Sequence, residues 1–134
     1  MDSPRVIDFA AELATVTAHW TPRVVGRVND QYVKVAKLLG ELVWHAHDAE
    51  DELFQVVYGD LRIQLRMDAS SDAISEVRLT AGQTFVIPRG VLHNPVAEAE
   101  VGIVLIETVT TAHTGNVHTE RTIPIARQLE TQEL

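Results

Sequence analysis

The sequence predicts an all-β sandwich or barrel with a short helix at its N-terminus. From residue 23 onward, short segments alternate apolar and polar residues, which is the period of a strand that buries one face. Glycine-containing turns separate these segments, and no helical spacing interrupts them. Many short strands joined by such turns indicate two packed sheets or a closed barrel.

The composition fits one globular domain that does not bind nucleic acid or membranes. The chain has 134 residues, 46% of them hydrophobic, which is enough for a packed core. Its formal net charge of −8 opposes binding to a phosphate backbone. The absence of cysteine excludes disulfides and thiolate metal sites. The sequence has neither a signal-peptide pattern nor an apolar stretch of about 20 residues, so a cytoplasmic protein is expected.

A helical appendage is predicted over residues 1–22, ahead of the strands. Asp8 is a candidate N-cap, and Pro22 ends the helical pattern. Trp20 is interpreted as a core anchor. The apolar residues at three- and four-residue spacing are Val6, Phe9, Ala10 and Leu13.

The barrel itself is predicted over residues 23–126, followed by a polar C-terminal tail over residues 127–134. Gly59 and Asp60 form a favourable hairpin turn, because glycine accepts a positive φ. Pro124 restricts the last segment to an edge strand. The predicted strands cover residues 32–38, 41–47, 53–58, 61–67, 74–79, 83–87, 101–106 and 122–125.

Two histidines one residue apart, His45 and His47, are the strongest indication of function. On a strand both imidazoles point to the same face, and the neighbouring Val43 and Phe54 indicate that this face is interior. A buried imidazole costs free energy unless it is hydrogen-bonded or bound to a metal. The pair is therefore a candidate metal site.

A carboxylate and a third imidazole, Glu52 and His93, complete the candidate site if the strands curl around one interior. Three neutral nitrogens and one carboxylate oxygen suit a divalent transition metal: Zn, Fe, Mn, Ni, Co or Cu. The alternative is a barrel whose histidines are only structural. The other three histidines are assigned to structural or exposed positions: His19, His113 and His118.

The spacing of these residues resembles the two motifs of the cupin superfamily, Gly…His-x-His…Glu…Gly and Gly…Pro-x-Gly-x-x-His…Asn. The segment from Trp44 to Ile63 is similar to small single-domain cupins described as mannose-6-phosphate-isomerase-like. Ala97 stands where the second motif closes with Asn, a position that is not a ligand. The matching residues are Gly40, His45, His47, Glu52 and Gly59, then Gly82, Pro88, Gly90 and His93.

The resemblance implies a double-stranded β-helix, the cupin jelly-roll barrel, with the metal near one mouth. It implies the metal ligands His45, His47, Glu52 and His93. A metal-binding cupin that acts on or binds a small molecule, such as a sugar or a small organic acid, is expected. If it is an enzyme, it is a metal-dependent isomerase, epimerase or dioxygenase; the alternative is a binding or sensing module without turnover. Glu52 is the candidate acid or base if it is not a ligand, and a homodimer is expected.

The surroundings of this site are predicted to be apolar. Arg89 is interpreted as a solvated turn residue near the mouth, with anion binding as the alternative. Glu107, at a strand end, is interpreted as a surface carboxylate, with a second acid or base as the alternative. The expected inward residues are Val43, Phe54, Val56, Leu61, Ile63, Phe85 and Ile87.

Overall fold

The computed structural model describes residues 4–115, 117–120 and 122–130, and over them the chain is mainly β-structure. No helix among these residues has the length and apolar character needed to cross a membrane. In chain order the elements are α1 (Phe9–Ala14), β1 (Arg23–Val28), β2 (Gln31–Glu41), β3 (Glu52–Tyr58), β4 (Leu61–Arg66), β5 (Ser75–Leu79), β6 (Thr84–Ile87), β7 (Leu92–Thr108) and α2 (Ile125–Gln128).

The long strand β7 organises the fold, because it pairs with three other strands. All pairings are antiparallel: the first part of β7 pairs with β4, and its second part lies between β2 and β3. The path β1-β2-β7-β3-β6 is extended by β5, which pairs with β4. This arrangement confirms the all-β, jelly-roll prediction. Strand β7 is longer than the predicted strand over residues 101–106, because its first part forms the ladder with β4.

The strands β2 and β7 bury both of their faces where they pair, and β3 adds to one of these faces. One face lines the barrel interior and carries Ala36, Phe54 and Ile103. The opposite face packs under α1 and carries Val35 and Val104. A sheet covered on both sides loses the apolar–polar alternation that marks a half-buried strand, which explains the continuous apolar run in the second part of β7.

Two N-terminal predictions are confirmed, the N-cap at Asp8 and the core position of Trp20, whereas Val6 precedes α1 and is exposed. Asp8 caps α1, because its side chain accepts a hydrogen bond from the backbone N–H of Ala11. Trp20 is buried at 8% exposure. Its indole Nε1–H donates to the carbonyl oxygen of Leu39 at 2.7 Å, which satisfies the polar atom of this core anchor.

Two predicted strands are wrong. Residues 41–47 do not form a strand, since β2 ends at Glu41 after an irregularity at Gly40, whose φ is +79°. The segment then runs without regular structure to β3, except for one bridge between His45 and His93. The predicted edge strand over residues 122–125 is also absent. Pro124, whose fixed φ suits a helix start, precedes the short helix α2 instead.

Candidate metal centre

Four buried side chains, here called the ligand cluster, meet near the start of β3 and β7. Each offers one potential ligand atom, and these atoms all lie within 4.8 Å of one another. The members come from three parts of the chain: His45 and His47 from the irregular segment before β3, Glu52 from the first residue of β3, and His93 from β7. The sequence prediction that these four residues converge is therefore confirmed.

Backbone hydrogen bonds hold the irregular segment against β7 at this point. The N–H of His45 donates to the carbonyl of His93 at 3.1 Å, and the N–H of His93 donates to the carbonyl of His45 at 2.9 Å. Each residue exchanges both bonds with the other, so the two form a hydrogen-bonded pair of an antiparallel ladder. The two imidazoles consequently lie side by side, with ring centroids 4.3 Å apart.

Two of the histidines have their protonation pattern fixed by the backbone. Nδ1 of His45 lies 2.8 Å from the carbonyl oxygen of Val43, and Nδ1 of His93 lies 2.9 Å from that of Val91. A carbonyl oxygen can only accept, so each Nδ1 carries the hydrogen and each neutral ring keeps a lone pair on Nε2. Metal-ligating histidines are oriented in this same way by an acceptor on the other ring nitrogen.

The polar atoms at the centre of the ligand cluster are suited to a metal. Nε2 of His47 lies 3.3 Å and Nε2 of His93 lies 3.4 Å from the oxygens of Glu52. Among the described residues these two nitrogens and Oε1 of Glu52 are buried without a hydrogen-bond partner. Buried polar atoms are normally satisfied, and a divalent cation would satisfy all three together. The described residues therefore fit a metal ion.

The electrostatics of the ligand cluster favour an ionised carboxylate at Glu52 and a neutral imidazole at His45. Burial and the nearby His93 lower the pKa of His45 to about 4. Burial opposes protonation of His47, but the nearby carboxylate of Glu52, 3.3 Å from Nε2, outweighs it and raises the pKa of His47. Burial opposes ionisation of Glu52, yet His47 and His93 hold its pKa well below the usual value. Glu52 is thus prepared to act as an anionic ligand.

A pH-dependent loss of stability is expected from His45 in the metal-free protein. Its pKa is lower folded (about 4) than unfolded (6.5), so the unfolded chain binds more protons in this interval and stability falls as the pH falls from 6.5 to 4. The loss is on the order of 3 kcal/mol. Urea unfolding with a chelator present should show a smaller loss for His45→Gln than for the wild type. Equal losses would contradict the prediction.

The prediction of a surface carboxylate at Glu107 is wrong. Glu107 is 3% exposed and forms an ion pair with Lys34, which is 1% exposed, at 3.2 Å. Strand β7 continues between β2 and β3 at this position, so Glu107 has Tyr32 opposite it on one side and Glu52 on the other. Lys34 and Glu107 are called the buried pair below.

The buried pair adjoins the ligand cluster directly. Burial raises the pKa of Glu107 well above its usual value, the charge of Glu52 raises it further, and Lys34 opposes both effects. Glu107 and Glu52 lie directly opposite each other in the ladder between β7 and β3. Sequence reasoning missed Lys34, because Val33 and Val35 on either side fill the opposite face and make Lys34 look like the solvated member of an alternating strand.

A small cavity of about 30 Å³ lies beside the ligand cluster in the barrel interior. His45 and Glu52 are on its wall, and His113 lines it as well. Nδ1 of His113 accepts a hydrogen bond from the backbone N–H of Ile123 at 2.9 Å. The remaining lining is apolar and comprises Trp20, Pro22, Ala36, Leu38, Leu42, Phe54, Pro95, Ile103 and Leu105.

The predicted inward residues are largely confirmed, and Arg89 stays outside. Five of the seven belong to the barrel interior, Phe85 packs against it in part, and Val43 is only partly buried. Arg89 is exposed, as predicted, and its backbone N–H donates to a carboxylate oxygen of Asp51 at 2.8 Å. The five interior residues are Phe54, Val56, Leu61, Ile63 and Ile87.

Comparison with known proteins gives a consistent family assignment. Residues 37–133 match the protein family described as Cupin, and this span contains the whole ligand cluster. A solved cupin-2 domain containing protein from Shewanella frigidimarina is 39% identical, with a TM-score of 0.68 over 77% of this chain and 94% of that chain.

Two further proteins are similar over smaller shares or at lower identity. The uncharacterized protein YdbB of Bacillus subtilis is 38% identical over 69 residues, which are 52% of this chain and 56% of that protein, so the chain matches about half of this curated relative. Hydroquinone 1,2-dioxygenase from Sphingomonas sp. TTNP3, solved in complex with 4-nitrophenol, is 19% identical, with a TM-score of 0.69 over 78% of this chain and 32% of that chain. At this identity the likeness shows the fold alone.

Proposed function

The chain belongs to the cupin family, and from this membership we propose that it binds one divalent transition metal in the ligand cluster and a small organic molecule beside that metal. The convergence of the four potential ligand atoms within 4.8 Å carries the proposal. Two of the imidazoles are already oriented by backbone carbonyls. The narrower mannose-6-phosphate-isomerase-like assignment stays a prediction.

The composition of the cluster indicates what the metal would supply. Three imidazoles and one carboxylate would hold the ion, and any position that they leave free would bind water or an oxygen of the small molecule, which the ion would polarise. Glu52 supplies the compensating negative charge, and the buried walls exclude bulk water. The carbonyls of Val43 and Val91 keep two of the rings in the tautomer that can ligate.

The size and lining of the cavity beside the ligand cluster restrict which small molecules could bind there. Its lining is largely apolar and its volume is about 30 Å³, which is room for roughly two water molecules. Such a space favours a compact molecule with one oxygen-bearing end at the metal and an apolar remainder. It offers few polar partners for the many hydroxyls and the phosphate of a phosphorylated sugar.

Metal analysis tests the metal part of this proposal. Protein purified without oxygen is expected to contain about one divalent metal ion per chain, and His93→Ala is expected to lose most of it, since a ligand is removed. His118→Ala is the matched control, because His118 is exposed and lies outside the ligand cluster. Equal metal content in His93→Ala and the wild type, or no metal in either, would contradict the proposal.

The open coordination position is tested separately with Co(II)-loaded protein. Acetate, which is compact, and benzoate, which adds an apolar ring, are titrated while the visible absorption of Co(II) is followed. A saturable spectral change with either anion supports an open position beside the cavity. No change with either would contradict the small-molecule part of the proposal, while the metal part would be judged by metal content alone.

A further inference from the structure

The buried pair, Lys34 and Glu107, occupies positions that the rest of the barrel interior fills with apolar side chains. Along β2 the residues that follow Lys34 on the same face are Ala36 and Leu38, and both belong to the apolar interior. Along β7 the residue two positions before Glu107 is Leu105, which is also interior. A charged pair therefore interrupts an otherwise apolar surface at the end nearest the ligand cluster.

Strand register places this pair next to the one carboxylate of the ligand cluster. Glu107 is the Cα partner of Glu52 across β7 and β3. Side chains that lie directly opposite in an antiparallel pair have Cβ atoms about 5 Å apart. Lys34 contacts Glu107, with Nζ 3.2 Å from Oε1. Glu107 therefore contacts Lys34 and lies opposite Glu52.

Fold stability alone does not explain such a pair. Both side chains are at most 3% exposed, and removing two charges from water costs several kcal/mol for each ion. Replacing a buried ion pair with apolar residues of similar volume is often neutral or stabilising. An arrangement of this kind next to a potential metal ligand fits a role at the metal site.

We propose that Lys34 and Glu107 are positioning residues that hold Glu52 in the orientation in which it ligates the metal. This inference rests on the proposed function and extends it to residues outside the ligand cluster. The partners of a metal ligand fix the direction of its lone pairs, and their loss weakens metal binding even though they never touch the ion. Backbone carbonyls orient the imidazoles of His45 and His93. For Glu52 we assign this orienting role to Glu107, which lies opposite it and contacts Lys34.

The double variant Lys34→Met with Glu107→Leu tests this role. It replaces both members of the buried pair together, so that neither is left buried without the other. We expect a folded protein whose affinity for Zn(II), measured by competition with a chromophoric chelator, falls about 10- to 100-fold. We also expect the visible spectrum of the Co(II)-loaded variant to change, because the direction of one ligand changes.

A surface ion pair provides the matched control. Arg62 and Glu76 form a 2.7 Å pair between β4 and β5 with 24% and 40% side-chain exposure, away from the ligand cluster. Arg62→Met with Glu76→Leu should keep wild-type Zn(II) affinity and Co(II) spectrum. If Lys34→Met with Glu107→Leu also keeps both, the positioning role is wrong although the protein binds metal.

A second variant covers the case in which the double variant does not fold. Glu107→Gln keeps the size of the side chain and is expected to show a lower Zn(II) affinity and an altered Co(II) spectrum. Wild-type values of both in folded Glu107→Gln would overturn the inference. Failure of the wild type to bind Zn(II) would instead overturn the proposed function, and the inference with it.

Discussion

Substitution of Glu52 by glutamine is expected to lower the affinity for the metal about 100-fold or more. Mutation of a residue that only orients a metal ligand already lowers metal affinity about 10- to 100-fold, and loss of the ligand itself should cost at least as much. Glutamine keeps the size of the side chain but lacks the only negative charge in the ligand cluster. In the wild type, a metal at 1,000 times its dissociation constant should stabilise the fold by about 4 kcal/mol. In Glu52→Gln the same metal concentration should stabilise it far less. Thermal unfolding with and without Zn(II) measures both values.

Asp48→Asn is the appropriate control for this experiment. Asp48 lies between His47 and Glu52 in the chain, is exposed and is not part of the ligand cluster. Its substitution also removes one carboxylate charge, so it reports how much a general change in charge affects metal binding. A similar metal-dependent stabilisation in Glu52→Gln and Asp48→Asn would show that Glu52 is not a ligand.

The second large effect is expected at Gly115, where a side chain would collide with the segment that carries His45. Gly115 has a φ of +57°, and a Cβ added there would press against the carbonyl oxygen of Ala46 and approach Cδ2 of His45 to 3.3 Å. Gly115→Ala should lower the free energy of unfolding by about 3 kcal/mol, from backbone strain and overpacking together. Chemical denaturation of the metal-free protein measures this loss.

Gly82→Ala separates the two causes. Gly82 also has a positive φ, +87°, but nothing lies within 4 Å of its added Cβ. This variant should lose only the cost of the left-handed conformation, about 1–2 kcal/mol, and should bind Zn(II) as the wild type does. Gly115→Ala should additionally bind Zn(II) more weakly, because His45 is displaced. If Gly115→Ala and Gly82→Ala lose the same free energy of unfolding and bind Zn(II) equally well, the proposed contact between residue 115 and the His45 segment is wrong.

The ligand cluster could be predicted from sequence because three of its four residues lie within a short stretch of the chain and are of types that commonly bind metals. His45 and His47 are close in the chain, and burying them with Glu52 has a cost that a metal offsets. The prediction succeeded even though its structural basis was wrong: residues 41–47 are not a strand. Their inward direction comes from the bridge between His45 and His93, a contact between residues far apart in the sequence.

The buried pair could not be predicted, because its burial depends on strand register. Nothing near Glu107 in the sequence indicates that Lys34 will reach it from β2 or that Glu52 will lie opposite it on β3. A carboxylate at a strand end is usually solvated. It is buried here because β7 continues past the predicted end at residue 106 and stays between two neighbouring strands.

The distribution of the ligand cluster along the chain has a consequence for folding. His45 and His47 lie on a segment without regular structure, whereas Glu52 and His93 belong to strands of the sheet. A bound ion would therefore act as a reversible cross-link that fastens the irregular segment to the sheet, so that part of its binding energy becomes folding energy. In a chain without cysteine, coordination would do for this segment what a disulfide does in secreted domains, and a chelator would be able to undo it.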